Sequence, residues 1–351
     1  MPITHRIALV PGDGVGKEVV AEARQAVDAL GLAVQWTHLP WGSDFYLEHG
    51  TMMADDWEQT LRAHEAVLMG SCGWPTVPDH VTVWGMTLKI RQTFDLWANY
   101  RPARLLPGIP TPLAGRTPAD IDMIFVRENT EGEYAGVGGR THQGHPIEVG
   151  IETSVFTRTG IERIVRYAFG LAQERKRVLT SATKSNASRY GYVLWDEVVE
   201  EVGADFPDVR IDRCLVDALS ARLVTNPGSL DVVVASNLFG DILTDIAAAI
   251  QGGMGMSASA NLAPGGSAPP FFESVHGSAP DIAGKGIANP IATLWSAVLL
   301  LEHIGEAEGA ARLMRAIEQV CLTGPRTRDV GGTAGTSEVG AAVVAALHAG
   351  A

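Results

Sequence analysis

Short runs of β-branched residues alternate with longer amphipathic stretches along most of this chain, and that alternation limits the fold more than any other feature. Strands are expected at residues 7–10, Ala66–Met69, residues 121–126 and 178–181, and Val232–Ala235, with a helix near residues 17–30. Elements in that order build an α/β fold, a largely parallel sheet covered by helices. A further helix has a start signal, since Thr159 and Glu162 have capping-box spacing ahead of Ile164, Val165, Ala168 and Leu171. Two segments break the rhythm. Residues 131–157 are Gly-rich and then alternate, which suits a surface hairpin or an extended arm that pairs with a second subunit. Residues 252–270 are rich in Gly, Ser, Ala and Pro, the composition of a crossover loop.

With 351 residues the chain exceeds one ordinary core, so one large or two intertwined α/β domains are expected. Its 46% hydrophobic and 19% charged content excludes a disordered chain. Lys and Arg number 27 against 40 acids, a net charge of −13, so no nucleic-acid partner is expected. Cys72, Cys214 and Cys321 are odd in number, far apart and without metal-site spacing, which fits a reducing cytoplasm. No signal-peptide core precedes the first strand, and Gly, Pro, Asn and Ser interrupt the apolar stretches; no membrane partner is expected.

The densest chemistry follows the run Asp231–Ser236. There Asn237-Leu-Phe-Gly-Asp-Ile-Leu-Thr-Asp245 reads as a polar turn feeding a helix, with Asp241 and Asp245 on one face. Spacing leaves two readings open: a hard cation such as Mg²⁺ or Mn²⁺ between the carboxylates, or acids complementing the helix dipole. Pro11-Gly-Asp-Gly-Val-Gly16 lacks the third glycine of a dinucleotide fingerprint, because Lys17 stands where it belongs. It is read as a tight strand-to-helix turn. A better cofactor candidate is Glu273-Ser-Val-His-Gly-Ser-Ala-Pro-Asp281 with Ile282, Gly284 and Asn289. Small residues there admit close backbone approach, and Asp281 suits ribose hydroxyls while repelling a 2′-phosphate. A plain turn with a capping Asp is the competing reading. Arg91, in the helical stretch 86–97 with Asp95 four residues on, joins Arg101, Arg104 and Arg127 as guanidinium groups able to grip carboxylates. Lys184 follows a strand, Tyr134 lies just beyond Arg127, and Asp217 interrupts an apolar stretch where a buried acid is rare unless paired or on a metal.

Taken together, these motifs resemble the isocitrate/isopropylmalate dehydrogenase family of β-decarboxylating hydroxyacid dehydrogenases. The resemblance runs nearly end to end through residues 11–19, Arg91, 99–102, 127–134, 183–186, 237–245 and 276–289. Within it, Gly73-Trp-Pro-Thr-Val-Pro-Asp-His80 with Trp84 and Gly85, residues 127–134, 154–158 and 181–186 look most like the tartrate/D-malate branch. The resemblance implies a two-lobed fold that is not a Rossmann dinucleotide fold. Residues 1–98 and 252–351 would form a cofactor lobe; residues 99–251 would form a substrate, metal and dimerisation lobe with an arm at 131–157.

It further implies a homodimer with shared active sites. Asp241 and Asp245 would hold Mg²⁺ or Mn²⁺ with Asp217 of a second subunit, and a monovalent cation is a further candidate. Arg91, Arg101 and Arg127 would grip a dicarboxylate substrate. Tyr134 and Lys184 would be the acid–base pair, Lys184 reaching across the dimer interface, and Asp217 would sit within the catalytic set. His276, Gly277, Ser278, Ala279, Asp281, Ile282 and Asn289 would contact NAD. The implied chemistry is hydride loss from C2 to NAD, then loss of CO₂ from the β-keto acid, with Tyr134 protonating the resulting carbon. Thr87, four residues before Arg91, stands where the family faces the C3 substituent. With one hydroxyl, one methyl and no charge it answers a third carboxylate poorly and tolerates hydrogen or hydroxyl, pointing to (R)-malate or tartrate. A 3-isopropylmalate dehydrogenase, a biosynthetic relative acting on another substituted malate, and a catalytically silent regulatory subunit are the alternatives.

Overall fold

The computed structural model describes residues 4–350. Among them the strands follow in the order β1 (His5–Val10), β2 (Val34–His38), β3 (Ala66–Met69), β4 (Ala98–Arg104), β5 (Asp122–Glu128), β6 (Gly132–Thr141), β7 (Val149–Val155), β8 (Val178–Thr183), β9 (Arg210–Leu215), β10 (Val232–Ala235), β11 (Ala258–Leu262) and β12 (Phe271–Ser274). The expected strands are β1, β3, β5, β8 and β10, and the sheets are mostly parallel and flanked by helices. No helix of the described residues is long and apolar enough to cross a membrane.

The chain divides into two compact units. One takes the described residues up to Leu96, Arg101–Ile121 and those from Ala248 onward; the other takes Trp97–Tyr100 and Asp122–Ala247. Residues 101–121, expected in the second lobe, thus pack with the first. The reason is visible in their partners. The backbone N–H of Arg104 donates to Gln251 Oε1 at 2.8 Å, its guanidinium to Glu318 at 2.6 Å, and Thr111 Oγ1 to the Ile250 carbonyl at 2.6 Å.

In the first unit the strand order is β2-β1-β3-β12-β11, parallel except for the β12–β11 pair. β11 lies inside the tract expected to be loop. Its small residues carry little strand propensity, but Ala258, Ser259, Ala260 and Asn261 are buried and β12 supplies their ladder partners. The helix Ile291–His303 is buried continuously from Ile291 to Leu301, so it is a core helix without a polar face over that span. The helix Gly16–Ala29 buries Val19, Val20, Ala23, Ala26 and Val27 on one stripe. Its preceding turn needs glycine: Gly12 has φ 67° and an added Cβ would meet the Ser71 carbonyl at 2.2 Å. The expected helix over 86–97 is instead composite. A short helix Asp79–Thr82 passes through a π-helical turn Val83–Thr87 into Leu88–Thr93, and Asp95 at φ 46° lies beyond its end.

In the second unit β5-β10-β8-β9 is wholly parallel. Four consecutive buried residues make β10, as expected of a strand covered on both faces. The helix Arg158–Gln173 buries Ile161, Ile164, Val165, Ala168, Phe169 and Ala172 at 3.6-residue spacing. Its cap is not Thr159 but Thr157, whose Oγ1 accepts the Gly160 N–H at 2.9 Å. The reciprocal acid is Glu131 rather than Glu162: its carboxylate accepts the Thr157 N–H at 2.9 Å and hydroxyl at 2.5 Å. β6 and β7 pair antiparallel as the expected hairpin, with Val137, Val149 and Ile151 exposed.

Candidate active site

β5 and β10 run parallel with Arg127 opposite Ala235, so both deliver their following residues to the same, C-terminal end of the sheet. That end is where open α/β sheets place ligands. Arg127 is almost wholly buried. Its Nε and Nη2 donate to Asn237 Oδ1 at 3.0 and 2.7 Å, and Nη1 donates to Asp241 Oδ1. Asn237 begins the helix Asn237–Ile250, and its own amide donates to the Glu131 carbonyl at 3.1 Å, which fixes the amide's orientation. One turn into the helix, Gly240 leaves room for the arginine stem, since a Cβ there would lie 2.6 Å from Arg127 Cβ and Cγ.

Tyr134, on β6, donates its hydroxyl to Asp241 Oδ2 at 3.2 Å, and the Arg127 guanidinium lies 5.6 Å from its ring centre. Burial first, then the Asp241 charge, raises the phenol above its ordinary value of 10.0, so it is protonated at neutral pH. Asp245, a turn beyond Asp241, is exposed. Lys184, directly after β8, donates to Asp217 Oδ1 at 2.6 Å. Asp217 stands in the first turn of the helix Val216–Thr225 and is exposed, not buried as its apolar neighbours suggest, because only Leu219 and Leu223 of that helix face the core. The hydrogen bond from Lys184, then backbone N–H groups, holds its carboxyl below the usual value. Arg127, Tyr134 and Asp241 therefore form one cluster and Lys184 with Asp217 a pair. Among the described residues no three His, Cys, Asp or Glu side chains gather as a metal cage.

In the first unit Arg91 is buried and donates Nη2 to Glu273 Oε1 at 3.0 Å; Asn261 Nδ2 reaches the same oxygen at 3.0 Å. Its Nε is buried without a hydrogen-bond partner. Thr87 is buried with its Oγ1 3.2 Å from Cys72 Sγ. Arg101 is buried on β4. The 276–289 loop is held at its start by two hydrogen bonds. Ser71 Oγ donates to the His276 carbonyl at 2.9 Å, and the Val15 N–H to the Ser278 carbonyl at 2.9 Å. Burial lowers the His276 imidazole, which is neutral at pH 7. Gly277 is exposed with open space where a Cβ would stand, whereas Ser278 is buried. Ala279, at φ 42°, and Ile282 pack on Val15, Val19 and Ala288. Asp281 is exposed. Asn289 is buried, donating to Asp329 at 3.0 Å and accepting the N–H of Ile291, the first residue of a core helix, at 3.1 Å.

Three positioning residues stood in the sequence only as members of motifs, with no role of their own: Asn237, Glu131 and Glu273. Each meets its arginine or threonine across a long loop of chain, where no local spacing rule reaches. A polar residue at a strand end was the only available signal.

The model of the isocitrate/isopropylmalate dehydrogenase family matches residues 6–343. A probable tartrate dehydrogenase/decarboxylase of Agrobacterium vitis is 51% identical over 98% of both chains. The D-malate dehydrogenase [decarboxylating] of Escherichia coli K12 is 49% identical over 97% of this chain and 98% of its own. The crystal structure of isocitrate dehydrogenase from Methylococcus capsulatus superposes with a TM-score of 0.91 at 37% identity, covering 98% of this chain and 99% of that one. With a strand-end arginine, a helix carrying paired aspartates and this similarity over nearly every residue, the chain belongs to the isocitrate/isopropylmalate dehydrogenase family.

Proposed function

We propose that this chain oxidatively decarboxylates a small 2-hydroxy diacid with NAD as acceptor, (R)-malate to pyruvate and CO₂ first of all, with tartrate as a second substrate. The observation that carries this reading is the Arg127–Asp241–Tyr134 cluster, where a cation, a carboxylate and a protonated phenol lie within hydrogen-bond reach. The hydroxyacid class is supported by the names of the tartrate and D-malate relatives. Three free thiols support a cytoplasmic setting.

Asp241 and Asp245 offer hard oxygen donors from one helix, a set that fits Mg²⁺ or Mn²⁺; Asp217 of a second copy completes it, and a monovalent cation is a further candidate. The 276–289 loop fits NAD: Gly277 leaves open space, and Asp281 presents an exposed carboxylate to ribose hydroxyls and against a 2′-phosphate. When bound, the divalent ion polarises the C2 oxygen and NAD accepts the hydride from C2.

The residues do the rest. Arg91, Arg101 and Arg127 hold the substrate carboxylates. Lys184, oriented by Asp217 and supplied by the second copy of a homodimer, takes the hydroxyl proton. After the C3–C4 bond breaks and CO₂ leaves, Tyr134 delivers a proton to the carbon that lost it. One proton is taken and one returned, so malate dianion plus NAD⁺ gives pyruvate, CO₂ and NADH. Thr87 meets the C3 substituent.

The test is NAD or NADP reduction with (R)-malate, the tartrate isomers, isocitrate and 3-isopropylmalate, with Mn²⁺ or with chelator. Turnover of (R)-malate with NAD, abolished by chelator, is expected. Preference for 3-isopropylmalate overturns the substrate, and silence across the panel favours a regulatory subunit. Lys184→Met abolishes turnover with the fold intact; normal kinetics remove Lys184 from the mechanism.

A further inference from the structure

Cys72 touches a residue of the proposed substrate pocket, Thr87. Its backbone is pinned on both sides by Asp13: the Asp13 N–H donates to the Ser71 carbonyl at 2.7 Å, and the Gly73 N–H donates to Asp13 Oδ2 at 2.8 Å. Asp13 is itself buried and fixed by the N–H and hydroxyl of Ser43, each at 2.7 Å. The thiol therefore stands on a stretch of loop tied by hydrogen bonds on both sides. Its Sγ lies 3.2 Å from Thr87 Oγ1, a close contact for sulfur. Burial pushes the thiol up to about 11, so it keeps its proton at neutral pH and can donate to Thr87. A threonine hydroxyl that accepts from the thiol has its own hydrogen left to point elsewhere.

We propose that Cys72 is a positioning residue that fixes the Thr87 hydroxyl and so sets the discrimination between a 3-hydroxylated diacid and its 3-deoxy counterpart. The inference rests on the reading that Thr87 meets C3. A hydroxyl held in one orientation is prepared to hydrogen-bond a hydroxyl on C3, whereas malate, with only hydrogen there, gains nothing from that orientation. On this reading Thr87 touches substrate and Cys72 aims it.

The experiment compares kcat/KM for tartrate with kcat/KM for (R)-malate in the wild type, Cys72→Ala, Cys72→Ser, Thr87→Val and the Cys72→Ala/Thr87→Val double variant. Thermal midpoints are recorded for each. Cys72→Ala lowers the tartrate-to-malate ratio by about three- to tenfold, the range of one hydrogen bond. Cys72→Ser keeps the donor and holds the ratio within about twofold of wild type. Thr87→Val lowers the ratio as well, and Cys72→Ala then adds nothing, because the cycle closes through Thr87. An unchanged ratio in Cys72→Ala, equal losses on both diacids, or an undiminished effect of Cys72→Ala in the Thr87→Val background each overturns the inference. A Thr87→Val variant with the wild-type ratio removes the reading of Thr87 and this inference together. If the wild type turns over neither diacid, the proposed reaction fails; the Cys72 assignment is then decided by the same ratio of dissociation constants, measured by calorimetry.

Discussion

At the residue scale, Arg127 shows how one side chain governs its neighbours. Its stem occupies the space that a side chain at position 240 would take, and its head saturates Asn237. Replacing a helical glycine by alanine ordinarily stabilises by about 1 kcal/mol. At Gly240 the sign reverses: Gly240→Ala is expected to destabilise by about 1–3 kcal/mol through overpacking. The same change displaces Arg127 and lowers turnover more than tenfold. Urea denaturation and kcat/KM check the two halves, and a more stable, fully active variant contradicts them. Arg127, Tyr134 and Asp241 were legible because the motifs containing them are dense in chemistry. The exposure of Asp217 was not, since an apolar flanking sequence does not say which side of a helix the acid occupies. Likewise Arg91 does not use Asp95, because the helix ends at Thr93 and Asp95 lies past it; its acid is Glu273 on β12.

At the scale of elements, the start of the helix Arg158–Gln173 is the instructive case. Thr157→Ala removes the cap and leaves Glu131 without its hydroxyl donor, so a loss of about 1–2 kcal/mol is expected. Thr157→Ser restores most of it, whereas Thr159→Ala changes stability little. Chemical denaturation midpoints of the three variants decide. The spacing rule selected Thr159 because Glu162 follows it by three residues. In the folded chain the acid that completes the cap comes from Glu131, just before the hairpin whose other end is Thr157. Gly160 permits this, since a Cβ there would lie 2.4 Å from the Glu131 carboxylate. β11 was hidden for a related reason: Ala and Ser announce no strand, and only β12 makes one of them. Periodic elements such as β10 or the Ile161–Ala172 stripe were legible because their burial is written in their own residues.

At the scale of the whole molecule, buried ionisable groups set how stability varies with pH. Burial raises Glu128 from 4.5 to about 7, against hydrogen bonds from Thr130 and Glu131 that oppose it. The folded state then binds more protons than the unfolded one, so stability falls as pH rises from about 4.5 to 7, by an amount on the order of 3 kcal/mol. His5 acts in the same direction. Burial alone would lower it, but Glu65 and Glu306 hold it above 6.5, so its contribution is complete below that value and drains away above it. His276 and His303, which burial lowers, act in the opposite direction below 6.5, so Glu128 is read by difference: the thermal midpoint of the wild type minus that of Glu128→Gln is expected to decline between pH 5 and pH 7. A difference that rises over that range refutes the Glu128 assignment. The two-unit division itself was implied by the family resemblance, but the membership of residues 101–121 depended on Gln251, Glu318 and Ile250, more than a hundred residues further on. That discontinuity also orders the birth of the protein. Every residue of Asp122–Ala247 is translated before β11, β12 and the Ile291–His303 helix. The unit begun later is thus the first able to close, while the amino-terminal segment waits for its carboxy-terminal partners. Nascent chains stalled once Ile250 has cleared the exit tunnel should resist protease within residues 122–247 and remain cleavable before Leu96.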